Sequence, residues 1–399
     1  MKNTPGPHSD VQQAATKLWK QQVTWRRHLH QYPELSFEEH QTTAFLKKQL
    51  TDLGLKILKV DMKTGVLAEL SGKGKGPVVA IRSDIDALPI LERTGLPFRS
   101  KRDGCMHACG HDMHMATVLG TAVVLSQLRD TFDGTVRFVF QPAEEMPPGG
   151  ARPMIENGAL DNVTMIFGLH VDPDLPVGRV SLRDGVTMAS VFDFNLIIRG
   201  RSGHAARPHS AIDAIVTAAE VIESLQKISS REIDPVEPVV VTFGKIEGGA
   251  ASNIIADEVR LAGTARTLSE KTFKKIPGMI RRIVGGVCKA RGAKFEIQPI
   301  ADYPVLKNHI RANRILAQTY DELFGKGKVE LTPPVLGGED FACYVEQVPG
   351  AMFRLGIRNR KIKADKPWHS PEFIADEAAL PFGTALMAAA ARRALDGHR

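Results

Sequence analysis

The stretch GCMHACGHDMHMA, residues 104–116, constrains this chain more than any other part of the sequence. It holds two cysteines, three histidines and one aspartate among glycines and other small residues. Thiolate and imidazole together suit zinc and similar divalent metals. The stretch lacks the paired CxxC units of a zinc ribbon. If it binds metal, the remaining ligands must come from distant parts of the chain. We therefore predict a metal site of the open, catalytic kind; buried thiols and hydrogen-bonded imidazoles are the alternative.

Length and composition indicate a folded protein of two domains. The chain has 399 residues, which exceeds the roughly 250 to 300 at which single hydrophobic cores stop growing. Its hydrophobic content of 43% and charged content of 24% are those of globular proteins. The net charge is +7, but the basic residues are spread among 45 acidic ones. No basic run is interleaved with aromatic residues, so a nucleic-acid partner is not expected.

The cysteines and the N-terminus bear on location. The four cysteines, at positions 105, 109, 288 and 343, are too few for a disulfide framework in a chain of this length. The N-terminus is polar, and no run approaches the roughly 18 apolar residues of a membrane span. We expect a cytoplasmic protein with reduced thiols and no membrane contact.

Three predicted strands are followed directly by side chains of the metal-binding type. The strands are residues 78–82, 134–140 and 165–169, and the side chains after them are Asp84 and Asp86, Glu144 and Glu145, and His170. Ligands of open α/β sheets bind at the carboxyl ends of the strands, so these side chains are candidates for one site. Turn or helix-cap roles for the aspartates, and a solvated acidic loop for the glutamates, are the alternatives.

Helical patterns surround these strands. Residues 10–31 and 36–53 are predicted helices, and the second begins with Ser36 and Glu39 at the spacing of a capping box. An amphipathic helix is predicted over residues 113–128. The fold class is therefore α/β, with a central mixed sheet flanked by helices.

A second domain is predicted within the first. After about residue 185 the pattern becomes strand 191–199, helix 211–229, strands 239–246 and 258–267, helix 270–291 and strand 294–300. This βαββαβ order is that of a ferredoxin-like module. We place an inserted domain at residues 186–302, and the metal-binding domain at residues 1–185 and 303–399.

Seven motifs, taken together, resemble a known family. They are RSDIDALP (82–89), MHACGHDMH (106–114), QPAEE (141–145), GLH (168–170), SGHAARPH (202–209), GGEDF (337–341) and HSPEF (369–373). They look like the dinuclear metallohydrolases of the aminoacylase and carboxypeptidase type, peptidase family M20. Within it they resemble the amidohydrolase branch of hippurate hydrolases, N-acyl-amino-acid deacylases and auxin-conjugate hydrolases. The resemblance runs in order through nearly the whole chain.

The resemblance implies a ligand set for two divalent ions, with zinc or manganese favoured and nickel or cobalt as alternatives. The positions that match the ligands of this branch are Cys109, His111, Glu145, His170 and His369. The Cys109 thiolate is expected to bridge the two ions. Most branches of the family have histidine where this chain has Arg82, so its ligand set must differ, with His111 compensating. Cys105, His107 and His114 are assigned to packing or supporting roles.

The resemblance also implies catalytic and substrate-binding residues. Glu144 matches the general base, and Asp84 matches the carboxylate that orients a ligand imidazole. His204 in the inserted domain matches the residue that stabilises the oxyanion, often across a dimer interface. Substrate contacts are expected from Asn253, Arg266 and Gly338. The inserted domain is accordingly expected to act as a lid and to form a homodimer or higher oligomer.

The leading functional hypothesis is metal-dependent hydrolysis of the amide bond in N-acyl amino acids, with acetyl, benzoyl or similar acyl groups. A carboxypeptidase or dipeptidase would use the same site and differ only in what its pocket admits. A catalytically inactive scaffold is a third hypothesis. It predicts a missing base or ligand, whereas the residues that match the family's base and ligands are all present.

Overall fold

The computed structural model describes residues 8–397, which divide into two compact units. Among these residues the first unit contains 8–185, 307–333 and 343–397, and the second contains Val186–Leu306 and Pro334–Ala342. The second unit thus runs four residues beyond the predicted boundary at residue 302. It also takes in a later segment, 334–342, which includes the whole GGEDF motif at residues 337–341.

The secondary structure of the described residues is numbered in chain order. The helices are α1 (Ser9–Gln31), α2 (His40–Asp52), α3 (His111–Gln127), α4 (Ala151–Glu156), α5 (Ala214–Lys227), α6 (Glu270–Phe273), α7 (Ile276–Arg291), α8 (Ile310–Phe324), α9 (Ala342–Val345) and α10 (Leu380–Asp396). The strands are β1 (Lys56–Ile57), β2 (Val66–Ser71), β3 (Val78–Asp84), β4 (Thr135–Gln141), β5 (Val163–Pro176), β6 (Val180–Ser181), β7 (Gly185–Met188), β8 (Ser190–Arg199), β9 (Gly203–His204), β10 (Val239–Gly248), β11 (Ile254–Ile255), β12 (Glu258–Thr267), β13 (Lys294–Tyr303), β14 (Leu306–Asn308), β15 (Val329–Glu330) and β16 (Gly350–Arg358).

The first unit is built on a mixed sheet of eight strands in the order β1-β2-β4-β3-β5-β16-β6-β15. Its central strands β4, β3, β5 and β16 run parallel, whereas β2 pairs antiparallel with β4 and β6 pairs antiparallel with β16. The central strands are almost continuously buried because helices cover the sheet. The predicted fold class, a central mixed sheet flanked by helices, is confirmed.

Parallel pairing brings the carboxyl ends of β3 and β4 to the same edge of the sheet. Asp84 is the last residue of β3 and pairs with Gln141, the last residue of β4. The strand that carries His170 is longer than predicted: β5 continues to Pro176 because β16 pairs with it as far as Arg358↔Pro176. His170 therefore lies within β5, two residues beyond the point where β3 stops pairing with it at Gly168.

Helix α3 differs from the amphipathic helix that the sequence predicts. Every residue from His111 to Leu125 is buried, because α3 packs against α1 and α10 as well as against strands of the sheet. Its polar residues therefore need partners inside the protein. Asp112 meets this need by accepting from His30 Nδ1 at 2.8 Å and by an ion pair with Arg26 Nε at 2.8 Å.

The predicted capping box before α2 is wrong. The helix begins at His40, and Glu39 at its N-cap position makes no side-chain cap bond. The Glu34 carboxylate caps the helix instead, accepting from the backbone nitrogens of Gln41 (3.1 Å) and Thr42 (2.8 Å). Ser36 and Glu39 are free to serve other groups, and both bond to residues near the carboxyl ends of β3 and β4.

The second unit has a four-stranded antiparallel sheet in the order β10-β12-β8-β13. With α5 and α7 this gives the βαββαβ order of a ferredoxin-like module. Its core joins the sheet to the two helices through residues such as Phe194, Leu196, Val221 and Val284. The predicted helix over 270–291 is divided into α6 and α7, with a proline in the first turn of α7. Within residues 8–397, none of the helices is long and apolar enough to cross a membrane.

Candidate metal centre

The turn after β4 places the two adjacent glutamates. Pro142 ends the strand, and Ala143 adopts a left-handed conformation with φ of 52°. Non-glycine residues rarely adopt this conformation, so the surroundings must hold it in place. The backbone N–H groups of Ala143 and Glu145 both donate to buried carboxylates, those of Glu39 (2.8 Å) and Asp86 (3.0 Å).

The His111 imidazole is oriented by Asp86. His111 Nδ1 lies 2.9 Å from the Asp86 carbonyl oxygen, which as an acceptor fixes the proton on Nδ1. Its Nε2 is therefore the nitrogen that can bind a metal. This atom is buried and has no hydrogen-bond partner among the residues that the structure describes. A buried, unpaired nitrogen is costly unless something such as a metal ion engages it.

His170 and His114 lie side by side but differ in what they can bind. His170 Nδ1 donates to the Val171 carbonyl at 2.8 Å, which leaves its Nε2 available as a ligand. His114 uses both of its nitrogens: Nδ1 bonds the Asp84 carboxylate at 2.6 Å, and Nε2 accepts the Val171 N–H at 2.9 Å. His114 is therefore a supporting residue even though its nitrogen lies near those of possible ligands.

The possible ligand atoms form overlapping groups within the first unit. Each group has its atoms within 4.8 Å of one another: Cys109, His111 and His170; Cys109, Glu145 and His369; and His111, Glu144 and Glu145. The first two groups share Cys109. Cys105 and His107 belong to none of the groups found among residues 8–397.

Burial and nearby carboxylates shift the pKa values of Cys109 and His111. Burial, together with the carboxylates of Glu145 and Glu144, raises the pKa of the Cys109 thiol well above its usual value. Burial alone would lower the pKa of His111, but the carboxylates of Asp84 and Asp86 raise it to about 10. Without metal the site therefore keeps its protons on the thiol and the imidazole. A divalent cation would replace these protons, as expected of residues that bind metal.

Arg82 and Asp84 form a buried pair beside this cluster. Arg82 Nη1 lies 2.7 Å from Asp84 Oδ2, and Arg82 Nε donates to Gln141 at 2.9 Å. Although burial raises it, the pKa of Asp84 is held well below the ordinary value by His111, His114 and Arg82. The imidazole that Asp84 hydrogen-bonds is that of His114, whereas the predicted ligand His111 is held by Asp86. Asp84 Oδ2 lies 3.7 Å from His111 Nε2.

His369 completes the cluster from another part of the chain. It adopts a left-handed φ of 62°, and its backbone N–H donates to the Ala108 carbonyl at 2.9 Å. Its Nε2 lies 3.3 Å from Glu145 Oε1. The preceding residue, Trp368, donates its indole N–H to the Val171 carbonyl at 3.0 Å, the same oxygen that orients His170.

Four of the predicted site residues lie in the second unit, where the structure brings them together in pairs. His204 on β9 pairs with Ile254 on β11, next to Asn253. His204 Nδ1 accepts the Ala206 N–H at 3.0 Å, so the proton of the neutral ring lies on Nε2, which is then a donor. Arg266 adjoins Gly338, where an added Cβ would lie 3.3 Å from Arg266 Nη1 and 2.2 Å from Val191 Cγ2.

The sequence does not predict how several residues support the cluster. Asp86 appeared only as a general candidate, and Ser36, Glu39 and Trp368 were not assigned to the site. Ser36 and Glu39 fit a helix-capping pattern, and that local pattern gives no indication of their contacts with Asp86 and Ala143. The HSPEF motif begins one residue after Trp368, and the side-chain role of this tryptophan depends on a carbonyl 197 residues away.

Comparison with known proteins places this chain in a family. Residues 80–393 match the sequence family described as Peptidase family M20/M25/M40. The N-acetylcysteine deacetylase of Bacillus subtilis is 42% identical over 90% of this chain and 92% of its own length. The thermostable carboxypeptidase 1 of Saccharolobus solfataricus is 39% identical over 90% of this chain and 91% of its own.

A solved structure agrees with these sequence matches. A Bacillus subtilis protein described as a dinuclear metal-binding peptidase of the M20 family has a TM-score of 0.81 and 38% sequence identity, covering 96% of this chain and 99% of the other. The fold, the cluster of ligand-type side chains and the sequence matches agree. The chain therefore belongs to peptidase family M20/M25/M40 and is a hydrolase of that family.

Proposed function

We propose that this protein is a metal-dependent amidohydrolase that cleaves the amide bond of N-acyl amino acids, releasing a carboxylic acid and a free amino acid. The observation that carries the proposal is the pair of ligand groups that share Cys109, with Glu144 in a third group beside them. The N-acetylcysteine deacetylase among the relatives supports this reaction class.

The proposed metal ligands are the five residues that make up the two groups sharing Cys109. They are Cys109, His111, Glu145, His170 and His369. Two divalent ions held there would supply Lewis-acid polarisation of the amide carbonyl and acidification of water. Zinc and manganese are the preferred candidates, with cobalt and nickel as alternatives. Thiolate and imidazole suit zinc, imidazole suits nickel, and carboxylate suits manganese.

Glu144 is the proposed general base. Its carboxylate lies within 4.8 Å of ligand atoms of His111 and Glu145, on the residue next to a proposed ligand. It takes a proton from the water that attacks the amide carbon. It then donates that proton to the amide nitrogen as the carbon–nitrogen bond breaks. The oxygen of water ends in the carboxylic acid, and the nitrogen leaves as a free amine.

The second unit is proposed to supply groups for the substrate. His204 presents an Nε2 proton on an exposed ribbon and is a donor for the developing oxyanion. Arg266 carries a guanidinium that can bind a substrate carboxylate in a forked pair of hydrogen bonds. Asn253 and Gly338 lie next to His204 and Arg266, respectively, and are the further proposed contacts. A lid action and homodimerisation of this unit remain predictions.

The four cysteines fit a cytoplasmic location, which we also propose. All four are free and buried. Free thiols persist in reducing compartments, and disulfides are rare there.

A release assay tests the proposed reaction. The protein is stripped with a chelator and reloaded with zinc, manganese, cobalt or nickel. It is then offered N-acetyl and N-benzoyl amino acids, with dipeptides in parallel, and the released amine is quantified. We expect release from N-acyl amino acids only after a metal is restored. Equal release by stripped and reloaded protein, or none with any metal, would refute the proposal.

Peptide cleavage is the second candidate function. It is favoured by the relative known as thermostable carboxypeptidase 1. The same ligands and base would serve it, because the bond broken is again an amide. If the same assay releases amino acids faster from dipeptides than from any N-acyl amino acid, this second candidate is favoured.

A further inference from the structure

The backbone on both sides of Glu144 is held by buried carboxylates. The N–H of Ala143 donates to Glu39 Oε1 at 2.8 Å, and the N–H of Glu145 donates to Asp86 Oδ2 at 3.0 Å. Asp86 and Glu39 are both fully buried. The proposed base and the adjacent proposed ligand thus occupy a turn that is fixed on each side by a hydrogen bond to a buried carboxyl oxygen.

This turn needs support because Ala143 is in an unfavourable backbone conformation. Its φ of 52° is left-handed, and its side chain is completely buried. Strained backbone persists only where surrounding contacts hold it. One such contact is the Gly150 N–H, which donates to the Ala143 carbonyl at 3.0 Å. The Glu39 carboxylate is the other, so Ala143 is held at both of its backbone polar groups.

Both carboxylate contacts depend on a single segment, residues 34–39. Glu39 is its last residue, and Ser36 Oγ donates to Asp86 Oδ2, the same oxygen that holds Glu145, at 2.7 Å. The Glu34 carbonyl accepts the Ala87 N–H at 2.8 Å, which fixes the segment to the chain just after Asp86. The segment therefore contacts both sides of the turn.

A merely structural role does not explain a carboxylate at position 39. Glu39 makes no cap bond to its own helix. Burial, and then the nearby Asp86 carboxylate, raise the pKa of Glu39 to about 7, so the charged form is unfavourable there. An apolar side chain of similar size would avoid this cost. What it would lack is an acceptor for the Ala143 N–H and for the Thr64 side chain, and of these two only the bond from Ala143 reaches the turn that carries Glu144.

We propose that Glu39 is a positioning residue, which accepts the Ala143 N–H and thereby sets the placement of the Glu144 and Glu145 carboxylates. This inference rests on the roles proposed above for those two glutamates. One consequence does not depend on the reaction: displacement of the Glu145 carboxylate must weaken metal binding, whatever the substrate is. A displacement of about 1 Å at a reacting group can lower turnover about 10²-fold.

Three substitutions at position 39 separate the acceptor from the bulk of the side chain. Glu39→Met keeps the length but removes the oxygen acceptor, Glu39→Asp keeps the carboxylate but shortens it by one methylene, and Glu39→Gln keeps both length and carbonyl acceptor. We expect Glu39→Met and Glu39→Asp to lower kcat at least about tenfold with little change in KM. Their affinity for zinc, measured by competition with a chromophoric chelator, should fall as well. Glu39→Gln should restore most of both quantities.

The matched control is Glu38→Met. Glu38 is the preceding residue and its side chain is exposed, so this substitution should leave kcat and zinc affinity unchanged. The proposal is overturned if Glu39→Asp or Glu39→Met folds with wild-type kcat and zinc affinity and loses only thermal stability. If Glu39→Met does not fold, Glu39→Asp against Glu39→Gln decides the question. Should the wild-type protein hydrolyse no N-acyl amino acid, zinc affinity still tests the positioning role separately from the proposed function.

Discussion

Cys109 Sγ lies 3.5 Å from His170 Nε2, although 61 residues separate the two along the chain. Cys109 reaches this position at the end of the loop before α3, and His170 reaches it from within β5. Cys109 also groups with Glu145 and His369, so the one thiol takes part in two sets of ligand atoms. This shared position is the reason for proposing two ions.

Substitution of the shared thiol should therefore affect both ions. We expect Cys109→Ser to weaken zinc binding, because a serine hydroxyl does not ionise as a thiol does. Losing a residue that only hydrogen-bonds a metal ligand weakens binding by up to about 100-fold, so losing a ligand itself should weaken it at least about 100-fold. Elemental analysis of the dialysed protein measures the bound metal. The matched control is Cys105→Ser, which changes an equally buried thiol outside the ligand groups and should keep its metal. Full metal content in Cys109→Ser would remove Cys109 from the site.

Metal binding should release protons. The pKa of His111 is raised to about 10 by Asp84 and Asp86 against the effect of burial, and that of Cys109 is raised well above its usual value, so both are protonated in the metal-free protein near neutral pH. An ion can bind only after displacing them, so we expect release of about two protons per chain and tighter binding as pH rises. Calorimetric titration with zinc in buffers of different ionisation enthalpy gives this number. Binding without proton release would contradict the ligand assignment.

His204 is expected to act in turnover without holding metal. Its Nε2 proton is available as a donor, and it belongs to none of the ligand groups among the described residues. Losing an oxyanion donor costs about 10²- to 10³-fold in kcat, so His204→Ala should show a loss of this size with unchanged metal content. His209→Ala, an exposed histidine in the same motif, is the control. Unchanged kcat with a lower melting temperature would make His204 structural.

The buried Glu39 carboxyl should give the metal-free protein a distinctive pH dependence. Its pKa in the folded protein is about 7, raised from an ordinary value of 4.5 by burial and by Asp86. The folded state thus holds the proton more tightly than the unfolded state. The corresponding stability is fully present below about pH 4.5 and is lost as pH rises through about 7.

Glu39→Gln cannot ionise, so it should escape this loss. Relative to wild type, its free energy of unfolding should increase by up to about 3 kcal/mol between roughly pH 5 and pH 8. Urea unfolding of the chelated proteins at several pH values measures the difference. Glu38→Gln, on the exposed neighbouring residue, should show no such trend. A pH-independent difference between Glu39→Gln and wild type would mean that position 39 does not titrate in this range.

Much of the fold follows from local patterns in the sequence. The sequence predicts β3 from an apolar run, because a strand buried on both faces is apolar throughout. It also predicts the βαββαβ order of the second unit, because strands and helices differ in the spacing of their apolar residues. The start of α2 is not readable in this way. Its cap comes from Glu34, whereas Glu39 bonds Ala143, 104 residues away, and a local pattern cannot reveal that partner.

The candidate site shows the same division. Cys109, His111, Glu145, His170 and His369 are all residues of metal-binding type within recognisable motifs, and the structure groups their ligand atoms. What the sequence does not reveal is which groups orient them. His111 is held by a main-chain carbonyl at Asp86, and His170 by the carbonyl of Val171, and a backbone oxygen has no sequence signature.

The most direct test of the account compares Glu144→Gln with wild type at equal metal content. Glutamine has nearly the same shape but cannot accept the proton of water, so we expect the variant to fold and to bind metal while its kcat on an N-acetyl amino acid falls about 10²- to 10⁴-fold. Glu156→Gln, an exposed glutamate in the same part of the chain, should keep wild-type turnover. Metal-loaded Glu144→Gln that retains more than about a tenth of wild-type kcat would contradict the assignment of Glu144 as the base and with it the proposed mechanism.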